Sequence, residues 1–281
     1  MGKFDGILIV SDVDGTFLGK GSRVVPENIE KLKYFISEGG LFTLATGRIY
    51  NTIEFLIPCV YDILSAPAIL ANGTYFYDFK NNRRSDEEFV DVDAVRELLH
   101  YVKTNYPEVE FRVSTRAGQL TDSVEGPFLS VEYAKSNDGL FYVYPVDEIP
   151  GDDWYKCVFR GSPDVLARLR QDVEPKYSDI FTFTLSSPSI FELQKKGTSK
   201  AVKMLELKQK YADKGRPVTV YACGDYENDY EMLKAADVAV CPTNALESIR
   251  AIADISPCDN DEGLIAALID VIEEKMQNGE V

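Results

Sequence analysis

The feature that most constrains this chain is a short apolar run near its start that ends in two aspartates. Residues 7–10 are all aliphatic, and Asp12-Val13-Asp14-Gly15-Thr16 follows almost at once. An uninterrupted apolar run of this length is typical of a strand that is buried on both faces of a parallel sheet. Ligands of open parallel sheets bind beyond the carboxyl ends of the strands. Asp12 and Asp14 are therefore expected at a ligand site.

Predicted strands and helices alternate in both outer parts of the chain. The first strand is followed by a helix that begins near Pro26 and ends at Gly39-Gly40. The same alternation then predicts strands over residues 41–45, 68–71, 217–223, 238–241 and 254–256, and helices over residues 53–57, 199–212, 229–235, 245–253 and 264–276. Such alternation indicates β-α-β crossovers. The sequence therefore predicts an α/β fold with a doubly wound parallel-sheet core.

The middle of the chain follows a different pattern. Its predicted elements are a helix over residues 92–105, strands over residues 110–114, 141–143 and 155–160, a helix over residues 163–173, and a hairpin of residues 181–185 with 190–193. The charged residues 80–88 are expected to form an exposed connection. This mixture predicts an α+β cap inserted into the core. We place the core at residues 1–80 and 189–281 and the cap at residues 81–188.

Charge and cysteine content exclude several classes of protein. The formal net charge is −16, whereas nucleic acids and anionic membranes attract basic surfaces. No apolar run reaches the roughly 18 residues of a membrane span, and the first ten residues are too polar for a secretory signal. The five scattered cysteines form no C-x-x-C pair, which favours a reducing compartment. We therefore expect a cytoplasmic monomer or weak homodimer, with no nucleic-acid and no membrane partner.

Two aspartates two positions apart suit phosphoryl-transfer chemistry. Asp12 can attack a phosphorus atom and form an aspartyl phosphate. Asp14, on the same face of an extended chain, can give a proton to the leaving oxygen and later take one from water. A solvated turn and an EF-hand loop are the alternatives, although Gly15 stands where the loop needs a ligand. The only histidine, His100, is predicted on a helix surface, so acid–base chemistry is assigned to carboxylates and lysines.

Two further segments carry groups that suit a phosphate. Thr46-Gly47 follows the second strand and offers a hydroxyl and backbone N–H groups before a helix, with helix capping by Thr46 as the alternative. Lys200 opens a predicted helix, where a cation opposes the helix dipole. A nearby carboxylate or phosphoryl oxygen would compensate for that position, and an ordinary exposed lysine is the alternative.

The segment from Gly224 to Asp229 supplies carboxylates for a predicted metal site. Asp225 and Asp229 lie four residues apart and share a face if a helix begins at once. Mg²⁺ takes an octahedron of oxygens and usually keeps several waters. In the alternative interpretation Asp225 and Asn228 only cap the helix. The predicted ligands of Mg²⁺ are Asp12, the main-chain carbonyl of Asp14, Asp225, and Asp229, which would hold a water or orient Lys200.

Four short motifs together resemble those of the haloacid dehalogenase superfamily, in its Cof-type phosphatase branch. They are Asp12-Val13-Asp14-Gly15-Thr16, Ala45-Thr46-Gly47-Arg48, Gly197-Thr198-Ser199-Lys200, and the segment from Gly224-Asp225 through Asn228-Asp229 to Met232-Leu233. The resemblance covers both outer parts of the chain. It implies the roles given above, a sheet with the first strand at its centre, and a cap inserted between the second and third motifs. We assign binding of the substrate phosphate to Thr46, Gly47, Arg48, Lys200 and Asn228, with a contact to the cap as the alternative for Arg48.

The predicted activity is hydrolysis of small phosphate monoesters such as sugar phosphates, with Mg²⁺ as cofactor. A phosphotransferase or mutase with the same nucleophile and a silent binding protein are alternatives. A receiver-like signalling domain is a third, although such domains lack a cap and phosphorylate an aspartate on a later strand. Aromatic side chains of the cap can stack on a substrate ring or form the core of the cap itself. They are Tyr133, Phe141, Tyr142, Tyr144, Trp154 and Tyr155.

Overall fold

The predicted first strand is an inner strand of a parallel sheet in the computed structural model, which describes residues 2–137 and 141–279. All five residues of β1 (Ile7–Ser11) are buried, and the strand lies between β4 (Leu41–Leu44) and β14 (Thr219–Cys223), parallel to both. Beyond β14 the sheet continues with β15 (Val238–Val240). On the other side, β5 (Ala68–Leu70) joins through one parallel bridge that Ile69 makes to the residue after β4.

The remaining strands and helices fall into a core part and an inserted part. In chain order they are β2 (Leu18–Gly19), β3 (Arg23–Val24), α1 (Pro26–Ser37), α2 (Tyr50–Leu56), α3 (Val60–Ile63), β6 (Tyr75–Asp78), β7 (Arg83–Ser85), α4 (Val92–Asn105), β8 (Glu110–Thr115), β9 (Gln119–Thr121), α5 (Val131–Asn137), β10 (Phe141–Val143), β11 (Trp154–Arg160), α6 (Pro163–Tyr177), β12 (Phe181–Ser187), β13 (Ile190–Lys195), α7 (Lys200–Asp213), α8 (Tyr230–Ala235), α9 (Glu247–Arg250) and α10 (Leu264–Gln277). Within the described part of the chain, no helix has both the length and the apolar character to cross a membrane.

Helices cover both faces of the parallel sheet because successive residues of β1 point in opposite directions. Ile7 and Ile9 belong to an apolar cluster that includes side chains of α1 and α10. Leu8 and Val10 belong to a second cluster, with side chains of α7 and α8. This arrangement confirms the predicted α/β fold with a doubly wound parallel core and an inner first strand.

The inserted part is built around a six-stranded sheet with the order β10-β9-β8-β11-β13-β12. One face of this sheet carries apolar side chains such as Phe111, Cys157 and Phe191, and these pack against apolar residues of α4 and α6. The opposite face carries charged and polar side chains. The predicted α+β cap is therefore present, with its apolar face turned towards its own helices.

The predicted boundaries of the cap do not coincide with the boundaries of its sheet. Residues 189–281 were assigned to the core, yet β13 is an inner strand of the cap sheet between β11 and β12. Residues 81–188 were assigned to the cap, yet β7 pairs with β6, which itself pairs with β5 of the core. The reason in both cases is pairing across a short turn, because the two strands of a hairpin must lie in one sheet and cannot be divided between domains.

The other differences concern short elements. No element was predicted for the segments that form β2, β3, α3, β9 and α5, and the charged connection at residues 80–88 contains β7. Elements of two to seven residues show too few periods for a pattern to identify. The predicted helix over residues 245–253 is reduced to α9, and residues 254–256 contribute a single bridge, between Ile255 and Val240. His100 is exposed on α4, as predicted.

Candidate active site

A buried lysine and a buried aspartate meet at the carboxyl edge of the parallel sheet. Asp12 directly follows β1, and its backbone N–H donates to the carbonyl of Cys223, the last residue of β14 (2.8 Å). Lys200 is the first residue of α7 and has a side chain only 1% exposed. Its Nζ donates to Asp12 Oδ1 at 2.6 Å and to Asp229 Oδ1 at 2.7 Å. Lys200 is therefore not an ordinary surface lysine, since it joins two segments of the predicted site.

The tight turn between β5 and β6 holds the start of α7 in this position. Ser199 caps the helix by accepting a hydrogen bond from the N–H of Val202. Gly73 has a φ of +91°, and a Cβ atom there would lie 2.1 Å from the carbonyl oxygen of Ser199. Only glycine permits this backbone conformation and so close an approach. The Asn72-Gly73 turn thus sets where Lys200 enters the site.

Three carboxylates gather around the lysine. Asp12, Asp225 and Asp229 each offer an oxygen, and these atoms all lie within 4.8 Å of one another. Burial and the charge of Asp229 raise the pKa of Asp12 well above its ordinary value, against the opposing effect of Lys200. Burial and Asp229 likewise raise the pKa of Asp225 to about 7. Burial by itself would lower the pKa of Lys200, but Asp12 and Asp229 raise it above the ordinary value.

The loop after β1 orients the carboxylate of Asp225. The hydroxyl of Thr16 donates to Asp225 Oδ1 at 2.7 Å. Gly15 has a φ of +77°, and a Cβ atom there would lie 2.5 Å from Asp225 Oδ2. The amide of Asn244 donates to the carbonyl of Gly15 at 3.0 Å and so supports the loop from the other side. Gly15 therefore leaves space for the carboxylate of Asp225, and Thr16 fixes its orientation. The sequence pattern alone did not identify these roles.

Both carboxylate oxygens of Asp229 already have partners. Oδ1 accepts from Lys200, and Oδ2 accepts from the backbone N–H groups of Asp225 (3.1 Å) and Tyr226 (3.3 Å). Asp229 is fully buried. Of the two tasks predicted for this residue, the orientation of Lys200 is the one that these contacts favour.

The donor set fits a divalent cation that prefers oxygen. The three carboxylates face one lysine, so with all four groups ionised the cluster has an excess of negative charge. The raised pKa values of Asp12 and Asp225 have the same cause, namely carboxylates crowded together and withdrawn from water. Carboxylate oxygens are the ligands that Mg²⁺ prefers in proteins. The contribution of the Asp14 carbonyl stays a prediction.

Asp14 lies in the same cavity as Asp12 but in a different environment. Its carboxylate is 49% exposed and accepts two hydrogen bonds from Arg48, from Nε and Nη2, both at 2.7 Å. Desolvation would raise the pKa of Asp14, but the Arg48 guanidinium holds it below its ordinary value. Arg48 was expected to contact the substrate phosphate or the cap, and in this structure it contacts Asp14.

Thr46, Gly47 and Asn228 line the same cavity, as their assignment to the phosphate requires. Thr46 is buried, and its hydroxyl accepts a hydrogen bond from the backbone N–H of Arg48 at 3.2 Å. A Cβ atom at Gly47 would lie 3.1 Å from Oδ1 of Asn72, and the same Oδ1 accepts a hydrogen bond from Asn228 (3.5 Å). Asn72 was not among the predicted site residues. Its position directly after the predicted strand over residues 68–71 was the signal that it belongs to the site.

The cap closes over this edge of the core. Glu192 of β13 accepts a hydrogen bond from Asn72 of the core at 3.0 Å, and Arg170 of α6 forms an ion pair with Glu227 at 2.8 Å. A cavity of about 330 Å³ lies between the two parts. The core lines it with Asp12, Asp14, Ser22, Thr46, Gly47, Arg48, Tyr226 and Asn228, and the cap with Arg112, Tyr133, Lys156, Arg160, Ser186, Ser187, Ile190 and Glu192.

Apart from Tyr133, the cap residues of this cavity were not predicted. Their signal was present in β11, where Lys156 and Arg160 occupy alternate positions of a strand whose seven residues are all buried. Alternation of this kind places both charges on one face of the sheet. Of the aromatic residues considered, Tyr133 lines the cavity, whereas Trp154 and Tyr155 are buried in apolar packing.

Comparisons with known proteins find similar sequences and similar folds. The sequence model described as haloacid dehalogenase-like hydrolase matches residues 9–269. A 5-amino-6-(5-phospho-D-ribitylamino)uracil phosphatase of Bacillus subtilis (strain 168) is 26% identical over 284 residues, covering 93% of this chain and 96% of the relative. The HMP-PP phosphatase of Yersinia enterocolitica is 26% identical over 252 residues, covering 86% of each chain. A haloacid dehalogenase-like hydrolase from Bacteroides thetaiotaomicron shares the fold, with a TM-score of 0.81 at 23% identity over 96% of this chain and 100% of that chain.

Proposed function

This chain belongs to the haloacid dehalogenase-like hydrolase family, and from that premise we propose that it is a Mg²⁺-dependent phosphatase of small phosphorylated metabolites that works through an aspartyl-phosphate intermediate. The observation that carries the proposal is the contact of Lys200 with Asp12 inside a cluster of three carboxylates. Two of its relatives are phosphatases by name, one of a phosphoribitylamino-uracil and one of HMP-PP. A cavity of about 330 Å³ next to Asp12 suits a substrate of that size class.

Asp12 is the nucleophile in this proposal. Its Oδ1 is held by Lys200, which leaves Oδ2 to attack the phosphorus atom as the bond to the leaving oxygen breaks. Lys200 neutralises charge on Asp12 and on the equatorial phosphoryl oxygens, which is the main requirement of a phosphoryl transition state. Thr46 and the backbone around Gly47 bind the phosphoryl group. Asp12 and Asp225 would hold Mg²⁺, whose chemistry there would be to add positive charge next to those oxygens.

Asp14 moves the protons in both half-reactions. It donates a proton to the leaving alkoxide in the first step. In the second step it takes a proton from the water that attacks phosphorus, and this releases inorganic phosphate and restores the Asp12 carboxylate. The ion pair with Arg48 favours ionised Asp14. We therefore propose that Arg48 exchanges Asp14 for a substrate oxygen when substrate binds, which frees Asp14 to hold a proton.

The test is release of inorganic phosphate from nitrophenyl phosphate and from a panel of phosphorylated metabolites, with and without Mg²⁺. Asp12→Asn removes the nucleophile and should lower kcat by at least about a thousandfold. Asp62→Asn is the matched control, because Asp62 has a side chain that is 64% exposed on α3, and it should retain wild-type activity. Purified, folded Asp12→Asn with more than about a tenth of the wild-type rate would refute the covalent scheme.

A cytoplasmic location is part of the same proposal. All five cysteines are free thiols in the structure. Free thiols persist where glutathione and thioredoxin keep cysteines reduced. Purification in the presence and absence of reductant, followed by counting of reactive thiols in the denatured protein, tests whether disulfides form.

A further inference from the structure

The charged face of the cap sheet points into the cavity and carries more positive than negative charge. Arg112 of β8 lies opposite Val158 of β11 in the strand register. Lys156 and Arg160 lie two residues before and after Val158, so all three cations are on the same face of the sheet. Glu192 of β13 also lies opposite Val158. The cap thus lines the cavity with three cations and one carboxylate. This positive surface stands in a chain whose net charge is −16.

Two of the cations in the cavity are neutralised by partners of their own. Lys156 and Glu192 form an ion pair in which both side chains are nearly inaccessible, at 2% and 4% exposure. Arg48 forms its two-pronged pair with Asp14. The phosphoryl group that is transferred has Lys200 and the predicted metal site for its own charge. Neither of these pairs involves Arg160, another cap residue whose charge lines the cavity.

Arg160 is the arginine whose surroundings are most informative. It is 9% exposed. Its Nη1 donates to the hydroxyl of Tyr133 at 2.9 Å, and the guanidinium lies 4.8 Å from the centre of the Tyr133 ring. In residues 2–137 and 141–279, no carboxylate lies within ion-pair distance of Arg160, and its buried Nε has no hydrogen-bond partner. A tyrosine hydroxyl is a hydrogen-bond partner and not a counterion, so no carboxylate among the described residues balances the positive charge of Arg160.

A buried guanidinium without a carboxylate is costly, because arginine leaves water at a large loss of hydration energy and is seldom buried unless it is paired. An arginine in this state at the wall of a ligand cavity is compensated when the ligand brings the anion. Guanidinium groups bind carboxylates and phosphates through two parallel hydrogen bonds. The position of Arg160, on the cap side of a cavity that has Asp12 on its core side, separates this anion from the phosphoryl group that is transferred.

We propose that the substrate carries a second anionic group, a carboxylate or a second phosphate, which binds to Arg160 while its phosphoryl group lies against Asp12. This inference rests on the proposed phosphatase function and specifies its substrate class. Sugar acids that carry a phosphate and sugar bisphosphates have the required chemistry. Monophosphates of uncharged sugars lack the second anionic group.

The first experiment measures kcat/KM of the wild-type protein with Mg²⁺ on two matched pairs of substrates. Sorbitol 6-phosphate and 6-phosphogluconate differ only in a hydroxymethyl against a carboxylate, and fructose 6-phosphate and fructose 1,6-bisphosphate differ only in the second phosphate. A charge-assisted hydrogen bond should favour the member with the second anionic group, in at least one pair, by about ten- to a hundredfold. The pair that shows the preference identifies the anion as carboxylate or phosphate.

The second experiment locates that preference at Arg160. In Arg160→Gln the ratio of kcat/KM between the members with and without the second anionic group should fall by about tenfold or more, and Arg160→Lys should restore part of it. Arg168→Gln is the control, because this arginine of α6 is 65% exposed at the side chain and lies outside the cavity. It should leave the ratio at the wild-type value.

Equal kcat/KM within both pairs for the wild-type protein, alongside hydrolysis of nitrophenyl phosphate, would overturn the inference and leave the phosphatase function intact. An unchanged ratio in folded Arg160→Gln would overturn the assignment to Arg160. The absence of phosphate release from every substrate, nitrophenyl phosphate included, would overturn the proposed function and the inference together. The wild-type comparison needs no variant, so it decides the question even if Arg160→Gln does not fold.

Discussion

Replacement of Lys200 by methionine tests the central arrangement of the site. Methionine keeps the length and the apolar stem of lysine while it removes the ammonium group. Lys200 is 1% exposed at its side chain and lies at 2.6 and 2.7 Å from Asp12 and Asp229. In Lys200→Met, Asp12 and Asp229 therefore lose the ammonium group that donates to both of them.

The magnitude follows from burial and contact. Removal of one partner from a buried ion pair typically costs about 3–5 kcal/mol, because the remaining charge stays buried without compensation. We expect a loss of this size in the metal-free protein at neutral pH, measured by urea unfolding in the presence of a chelator. The loss of positive charge at the phosphoryl oxygens should lower kcat by about a hundred- to a thousandfold, by analogy with the removal of one oxyanion donor. Phosphate release with saturating Mg²⁺ measures it.

Lys203→Met is the matched control. Lys203 lies one turn further along α7, has a side chain only 4% exposed, and pairs with Glu206 outside the cavity. It should lose some stability but keep kcat close to the wild-type value. The reasoning is refuted if Lys200→Met keeps kcat within about tenfold of the wild type, or if Lys203→Met loses as much activity as Lys200→Met.

Three further predictions concern the proton carrier, the metal and the connection to the cap. Asp14→Asn should slow hydrolysis of the phosphoenzyme, so acid-quenched samples analysed by mass spectrometry should contain more phosphorylated protein than the wild type; no increase argues against its role. Mg²⁺ at about a hundred times its Kd should stabilise the wild type by roughly 2.7 kcal/mol, and Asp225→Asn should largely abolish this shift in thermal unfolding. Desolvation opposes ionisation of Glu87, but Arg116 and Tyr155 hold the pKa of Glu87 below its ordinary value of 4.5. That contribution is present above about pH 4.5 and is lost as the pH falls through the folded-state pKa. Glu87→Gln should therefore lower the Tm at neutral pH but not near pH 3, and an equal effect at both pH values contradicts this account.

Much of the core and of its reactive edge could be predicted from the sequence. Alternating strands and helices indicate a parallel sheet, and the carboxyl ends of its strands must share one edge. Asp12, Lys200 and Asp225 were placed together on that argument, and the structure brings their side chains into one cluster. A cation in the first turn of a helix opposes the helix dipole, and this predicted a compensating anion next to Lys200. The structure supplies two, the carboxylates of Asp12 and Asp229.

The limits of cap and core were harder to predict because they depend on which strands pair with one another in a sheet. β7 and β13 belong to the sheets of their hairpin partners, and no local pattern of charge or hydrophobicity marks that membership. Asn72 is a similar case. The sequence Asn72-Gly73 favours a turn, which the structure contains. Its contact is with Glu192, which is 120 residues away in the sequence and reaches Asn72 only through the fold of the cap.

The sequence by itself determined the chemistry available to this protein, because local periodicity places acidic residues at strand ends and a lysine at a helix start. Only the tertiary structure decided which partners those groups have. Arg48 pairs with Asp14, and Arg160 enters the same cavity without a carboxylate among the described residues. The physical reason is that the charge on a side chain is a property of the chain, whereas the cost or benefit of that charge depends on what the fold packs against it and how far it excludes water.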